Sequence, residues 1–127
     1  MQKKRGVIDI NGCHVREEEL FVANIFANLG HNVTFIEPRR IKGLHTPDIK
    51  MSGLVWEIKS PTSGKTDSIE RNLKRACHQS CNIIFDARKI KVPIFKVQHI
   101  LENKAKNHKN IKHLKLITKQ NDVIDIK

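Results

Sequence analysis

The sequence predicts a mixed α/β fold in which helices flank a central mixed β-sheet. Apolar residues recur at helical spacing in three segments, and β-branched or aromatic residues form short runs between them. One of these runs, residues 82–86, is so apolar that we expect it in the middle of the sheet, covered on both faces. With 127 residues, of which 39% are hydrophobic, the chain is predicted to form a single domain over residues 1–127.

The first half of the chain is predicted to contain one helix and three strands. Residues 15–29 form the helix, because they place apolar side chains at helical spacing, namely Val22, Ile25, Phe26 and Leu29. Residues 32–36 are β-branched and aromatic, which predicts a short strand. Residues 48–51 and 54–59 flank Ser52-Gly53, and this pattern predicts a β-hairpin.

The second half is predicted to alternate helices and strands. A helix over residues 67–81 presents an apolar face formed by Ile69, Leu73, Ala76 and Cys77. The strand 82–86 follows, and then a helix over 94–107. Residues 114–118 and 123–126 are predicted to close the chain as a hairpin, so the predicted order is α-β-β-β-α-β-α-β-β.

The charge balance points to a polyanionic partner. Lys and Arg number 24 against 13 Asp and Glu, which gives a net charge of +11 and a pI near 9.9. Nucleic acid is therefore the predicted partner class. No transmembrane segment or secretion signal is evident, and the single Trp and five Phe are scattered, so no membrane partner is expected.

The predicted hairpin carries the charged residues that are best suited to catalysis or metal binding. Alternate side chains of a strand share a face, so Glu57 and Lys59 are expected side by side, and the turn brings Asp48 across from Glu57. Two neighbouring carboxylates favour a bound cation, and their hard oxygens suit Mg²⁺, with Mn²⁺ or Zn²⁺ as substitutes. Lys59 would orient the nucleophile or stabilise the extra negative charge of the pentacovalent state of the phosphate. The simpler interpretation is that all three form the solvent-facing side of the sheet.

These residues resemble the PD-(D/E)xK nuclease superfamily, through Pro47-Asp48 and Glu57-Ile58-Lys59 between two helices. The resemblance extends over residues 14–90 and implies a metal-dependent endonuclease with that superfamily's core. It also implies a further metal-contacting carboxylate on the first helix. Glu19 is favoured for this role because its helical face continues into the apolar core, and Glu18 is the alternative.

Residues 16–38, 46–61 and 76–88 together resemble the C-terminal toxin domain of CdiA-type contact-dependent growth inhibition proteins. The resemblance implies a secreted or surface-delivered toxin that cleaves tRNA in the cytoplasm of a target bacterium. It also implies a cognate immunity protein, which we expect to be acidic. Gln79 matches a glutamine that such domains often carry on the second core helix, where Arg71 and Arg75 would share its face.

Other interpretations remain open. Lys106, Lys109 and Lys112 are predicted to extend the nucleic-acid-binding surface. The enzyme could act on DNA instead of RNA, or the chain could be a non-catalytic basic module. A metal-free ribonuclease using His45 and Glu57 ranks behind these. The histidines and cysteines lack the spacing of a zinc site.

Overall fold

The computed structural model describes residues 4–38 and 46–127. Over these residues it contains strands and helices in the predicted order, with one additional strand at the start. The mixed α/β prediction is confirmed. The chain divides into two compact units, Met1–Trp56 and Glu57–Lys127, and the boundary falls inside one strand, β4. The elements are β1 (Ile8–Asp9), α1 (Glu17–Asn28), β2 (Val33–Phe35), β3 (Ile49–Met51), β4 (Leu54–Lys59), α2 (Thr66–Cys77), β5 (Asn82–Asp86), α3 (Ile94–Asn107), β6 (His113–Ile117) and β7 (Val123–Asp125).

In the first unit, strands pair with their neighbours in the chain. β1 and β2 are parallel and are connected through α1, whereas β2–β3 and β3–β4 are antiparallel. The predicted hairpin is confirmed, since Ile49 pairs with Trp56 and Met51 with Leu54. Its two turn residues have positive φ, +55° at Ser52 and +76° at Gly53, as a two-residue turn between twisted strands requires. The buried apolar side chains of this unit are Val22, Ala23, Ile25, Phe26, Ala27, Val33, Phe35, Ile49, Met51 and Trp56.

β1 is the element that the sequence did not predict. It is only two residues long, too short for an alternating pattern, and contacts from distant residues hold it in place. Arg5 donates to the side-chain oxygens of Asn24 and Asn28 at 2.6 and 2.8 Å. Gly6 approaches the backbone so closely that an added Cβ would lie 1.9 Å from the carbonyl oxygen of His31. A glycine is therefore required at this position.

In the second unit, three strands run parallel and a fourth reverses direction. β4 pairs with β5 and β5 with β6 in parallel, with α2 and α3 as the connections, and β7 pairs antiparallel with β6. Every residue of β5 is buried, which confirms the predicted central strand. The apolar core between the helices and these strands comprises Ile69, Leu73, Ala76, Ile83, Phe85, Ala87, Ile90, Val92, Val97, Leu101, Ala105, Ile111, Leu114 and Leu116.

Three local predictions were wrong. Leu29 is the C-cap directly after α1 and is 44% exposed, so it does not belong to the buried apolar face of the helix. α2 begins at Thr66 instead of residue 67 and ends at Cys77 instead of residue 81. The Ser80 hydroxyl accepts the Asn82 N–H at 3.1 Å, and this local bond competes with continuation of the helix. Among the described residues, no helix is long and apolar enough to cross a membrane.

Candidate active site

The end of β4 brings together two of the predicted site residues. Lys59 Nζ lies 3.3 Å from Glu57 Oε2, with side chains that are 22% and 4% exposed. The strand alternation therefore places them as predicted. Glu57 is buried, so the interpretation of this residue as part of a solvent-facing surface is wrong. A buried carboxylate is costly unless a cation or hydrogen bonds compensate it, and the ammonium of Lys59 does so here.

Asp48 is half-buried in the first unit, directly before β3. Its N–H donates to the carbonyl of Trp56 at 2.9 Å, and its own carbonyl accepts the N–H of Ile36 at 3.0 Å. The backbone of Asp48 is thus fixed between two neighbouring strands. Trp56 directly precedes Glu57 in the sequence. The hydrogen-bonded pairing of the hairpin therefore continues up to the residue before the glutamate.

The first turn of α1 holds Glu19 beside Arg16, which was not among the predicted site residues. Arg16 Nε donates to Glu19 Oε1 at 3.0 Å, and the Arg16 N–H donates to the same oxygen at 3.3 Å. The pKa of the Arg16 guanidinium is raised, mainly by its side-chain hydrogen bond to Glu19 and then by the negative charge of Glu19. The charges of Glu18 and Asp48 raise it by smaller amounts. Arg16 therefore lies within the electrostatic reach of Asp48. The spacing of three residues between Arg16 and Glu19 is the sequence signal that could have predicted this pair.

The predicted nucleic-acid contacts lie on or near the helices of the second unit. Arg71 and Arg75 are exposed on α2, whereas Gln79 lies in the turn after it, because the helix is shorter than predicted. Gln79 is fixed there by its N–H, which donates to the carbonyl of Ala76 at 2.9 Å. The three predicted lysines are exposed at the end of α3 and in the segment that follows, at Lys106, Lys109 and Lys112.

A cavity of about 510 Å³ opens beside Arg71. Leu73 and Cys77 form its apolar part, and burial raises the pKa of the Cys77 thiol. Charged side chains surround these two residues, and Lys104 lies 3.8 Å from Glu70 within the cavity wall. The side chains that line it are Asp67, Glu70, Arg71, Leu73, Lys74, Cys77, Lys104 and His108.

The donor set suits a hard cation bound through few protein ligands. Residues 4–38 and 46–127 contain no group of three or more His, Cys, Asp or Glu side chains placed to hold a metal ion. Mg²⁺ does not need such a cage, because it keeps several waters and is commonly bound through one or two carboxylates plus substrate phosphates. Each unit contains a carboxylate of this kind among the predicted site residues, Asp48 in the first and Glu57 in the second. His45, the alternative ribonuclease residue, lies outside the described residues, as does the basic segment 39–43.

A family model and a solved structure both match this chain. A family model described as the contact-dependent growth inhibition CdiA C-terminal domain matches residues 45–123. The fold is similar to that of a solved structure described as a CdiA-CT/CdiI toxin and immunity complex from Burkholderia pseudomallei. The TM-score is 0.68 at 17% sequence identity, and the match covers 96% of this chain and 99% of that chain. At this identity the likeness shows the fold alone. No curated protein matches the sequence.

Proposed function

The chain belongs to the contact-dependent growth inhibition CdiA C-terminal domain family, and we propose that it is a metal-dependent endonuclease toxin that cleaves RNA, with tRNA as its substrate. Its site of action would be the cytoplasm of a target bacterium, after delivery by a secreted or surface-exposed protein. The net charge of +11 supports a polyanionic substrate. A nuclease of the PD-(D/E)xK type is the class that the residues at the end of β4 favour.

The observation that carries this proposal is the buried Glu57 beside Lys59. Structural carboxylates on a sheet face are ordinarily solvated, whereas Glu57 is 3% exposed and paired at 3.3 Å with an ammonium. Buried and paired ionisable groups of this kind are common at functional sites. Lys59, whose side chain is less buried, would contact the phosphate and stabilise the negative charge that develops during in-line displacement.

Asp48 and Glu57 are the proposed metal ligands, and Glu19 is the proposed further contact. When bound there, Mg²⁺ would polarise a phosphoryl oxygen and lower the pKa of an attacking water. The protein's own contribution is to fix the carboxylates. The backbone of Asp48 is held by Trp56 and Ile36, and Glu19 is held by Arg16. Gln79, in the turn after α2, is also proposed as a catalytic residue.

The substrate assignment is tested with purified protein, total tRNA and plasmid DNA under the same salt and Mg²⁺ conditions. We expect cleavage of tRNA, no cleavage in excess EDTA, and much slower cleavage of DNA. DNA cleavage at a rate equal to or above that of tRNA would change the assignment to a DNase. Binding of nucleic acid in EDTA without any cleavage in Mg²⁺ or Mn²⁺ would favour the non-catalytic module instead.

The basic residues are proposed to contact the phosphate backbone. Replacing Arg71 or Arg75 with glutamine should weaken tRNA binding in EDTA and lower the salt slope of log Kobs by roughly 0.7 to 0.9 for each lost phosphate contact. Lys106, Lys109 and Lys112 should behave in the same way. Lys119→Gln, with the same charge change on an exposed residue outside both groups, serves as the control. Slopes identical to that of the wild type in all these variants would place the RNA on another surface.

A cognate inhibitor is also proposed, since an intracellular tRNA nuclease would be toxic to the cell that makes it. An acidic protein would associate quickly with a chain of charge +11 through electrostatic steering and could mimic the RNA backbone. We propose that its contacts include Arg71 and Arg75.

Expression of the wild-type chain alone is expected to arrest growth, and co-expression of the inhibitor should restore it. Glu57→Gln should be tolerated without the inhibitor while still binding it. Normal growth on high-level expression of soluble wild-type protein would contradict the toxin activity. An inhibitor that binds elsewhere and leaves cleavage unaffected would contradict only the proposed contact surface.

A further inference from the structure

The end of β5 contains a buried ion pair that the proposed chemistry does not use. Asp86 is the last residue of β5, and its side chain is 1% exposed, while that of Arg88 is 12% exposed. Arg88 donates to Asp86 three times, from Nε to Oδ1 at 2.9 Å, from Nη2 to Oδ2 at 2.7 Å and from its backbone N–H to Oδ1 at 3.1 Å. Charge-assisted bonds that engage both carboxylate oxygens fix the orientation of the group as well as compensating its burial. The Asp86 carboxylate is therefore a rigid acceptor.

Ser60 links this acceptor to the strand that carries the proposed chemistry. The Ser60 hydroxyl donates to Asp86 Oδ2 at 3.0 Å. The last residue pair of the β4–β5 ladder is Lys59 with Phe85, so the bond lies one residue beyond the regular strand pairing. Chain segments beyond the last ladder pair open at low free energy unless other contacts hold them. The bond to Asp86 supplies such a contact directly after Lys59.

We propose that Asp86 is a positioning residue, which acts through Ser60 to fix the backbone at Lys59 and so the place of the Lys59 ammonium beside Glu57. The inference rests on the proposed function, because it assigns Asp86 a purpose only if Lys59 takes part in cleavage. Successive side chains on a strand point to opposite faces, so the influence of Ser60 on Lys59 passes through the backbone. A displacement of about 1 Å at a reacting group can cost roughly a hundredfold in rate, so such anchoring matters for catalysis.

Ser60→Ala removes the link without disturbing the buried ion pair, and Ser60→Thr retains the hydroxyl. Ser63→Ala is the matched control, because this serine lies in the same loop but its hydroxyl accepts the N–H of Lys65 at 3.1 Å instead of contacting Asp86. The measurements are kcat and KM for tRNA in Mg²⁺, tRNA binding in EDTA, the thermal midpoint, and hydrogen exchange of the backbone over residues 54–60.

For Ser60→Ala we expect a loss of kcat of about tenfold or more, since hydrogen bonds to charged groups contribute roughly that factor. KM and binding in EDTA should remain close to the wild type, the thermal midpoint should fall by roughly a few degrees, and hydrogen exchange at the end of β4 should become faster. Ser60→Thr should restore kcat, and Ser63→Ala should leave it unchanged.

Three results would overturn the inference. An unchanged kcat in folded Ser60→Ala would show that the link is unnecessary for cleavage. Failure of this variant to fold would show that the bond holds the fold instead of positioning Lys59. An equal loss in Ser63→Ala would show a general sensitivity of the loop. In each of these cases the wild-type protein still cleaves tRNA, so the proposed function stands. If the wild-type protein did not cleave tRNA, both the proposed function and the inference about Asp86 would be wrong.

Discussion

Replacing Glu57 with glutamine is expected to reduce tRNA cleavage by at least about a hundredfold while the chain remains folded. The substitution keeps the size of the buried side chain and removes the charge that pairs with Lys59 at 3.3 Å. Because the Lys59 side chain is 22% exposed, its ammonium stays in contact with water when the carboxylate is lost. Stability should therefore fall only modestly, and the loss of a metal ligand should account for the loss of activity.

Asp48→Ala is expected to have the same effect on cleavage, and excess EDTA should reproduce both variants in the wild-type protein. Circular dichroism and the thermal midpoint report whether each variant is folded. Glu102→Gln is the matched control, since it neutralises an exposed carboxylate on α3 that accepts a bond from Gln98. Full activity of the wild type in EDTA would contradict the metal proposal and would favour a metal-free ribonuclease.

The parts of the fold that the sequence predicts are those determined by short-range patterns. The turn at Ser52-Gly53 depends on two residues that accept positive φ, and the structure shows that conformation. The continuous apolar run of β5 predicts burial on both faces, and the whole strand is buried. Strand alternation predicts that Glu57 and Lys59 share a face, and their 3.3 Å separation confirms it.

The features that the sequence did not predict depend on contacts between distant residues. β1 forms because Asn32 accepts the N–H of Val7 and because Arg5 reaches α1, and neither contact leaves a local pattern. Beyond the end of α2 the Ser80 hydroxyl accepts the N–H of Asn82, and a periodicity argument does not detect such a turn. Asp86 and Arg88 are two residues apart in the sequence, whereas Ser60 and Asp86 are 26 residues apart. The hydrogen-bond network that these three residues share therefore could not be predicted from a local sequence pattern.

The burial of Glu57 is the difference with the greatest consequence for function. Three consecutive residues, Trp56, Glu57 and Ile58, are buried at the centre of β4, where alternation alone predicts a buried side chain at every second position. A charged residue in this position depends on its partner in a way that a solvent-facing carboxylate does not. The sequence could place the carboxylate and the ammonium together, but it could not reveal that dependence.

Substitutions of Lys59 should therefore distinguish metal binding from the cleavage step. Lys59→Ala is expected to abolish cleavage and also to lower the thermal midpoint, because Glu57 loses the ammonium that compensates its burial. Lys59→Arg keeps the positive charge and should remain folded, but it should restore cleavage only in part, since a planar guanidinium cannot occupy the place of a compact ammonium.

The discriminating measurement is the rise in thermal midpoint on addition of Mg²⁺, which reports metal binding to the folded chain independently of cleavage. Mg²⁺ should stabilise Lys59→Ala at least as much as the wild type, because the variant retains both proposed ligand carboxylates and removes a competing cation. It should not stabilise Glu57→Gln. If Lys59→Ala lost the Mg²⁺ response while remaining folded, the ammonium would be needed to build the metal site, and its proposed role on the phosphate would be wrong. If Lys59→Ala cleaved tRNA at the wild-type rate, the Glu57–Lys59 pair would be a structural ion pair, and the proposal built on it would fail.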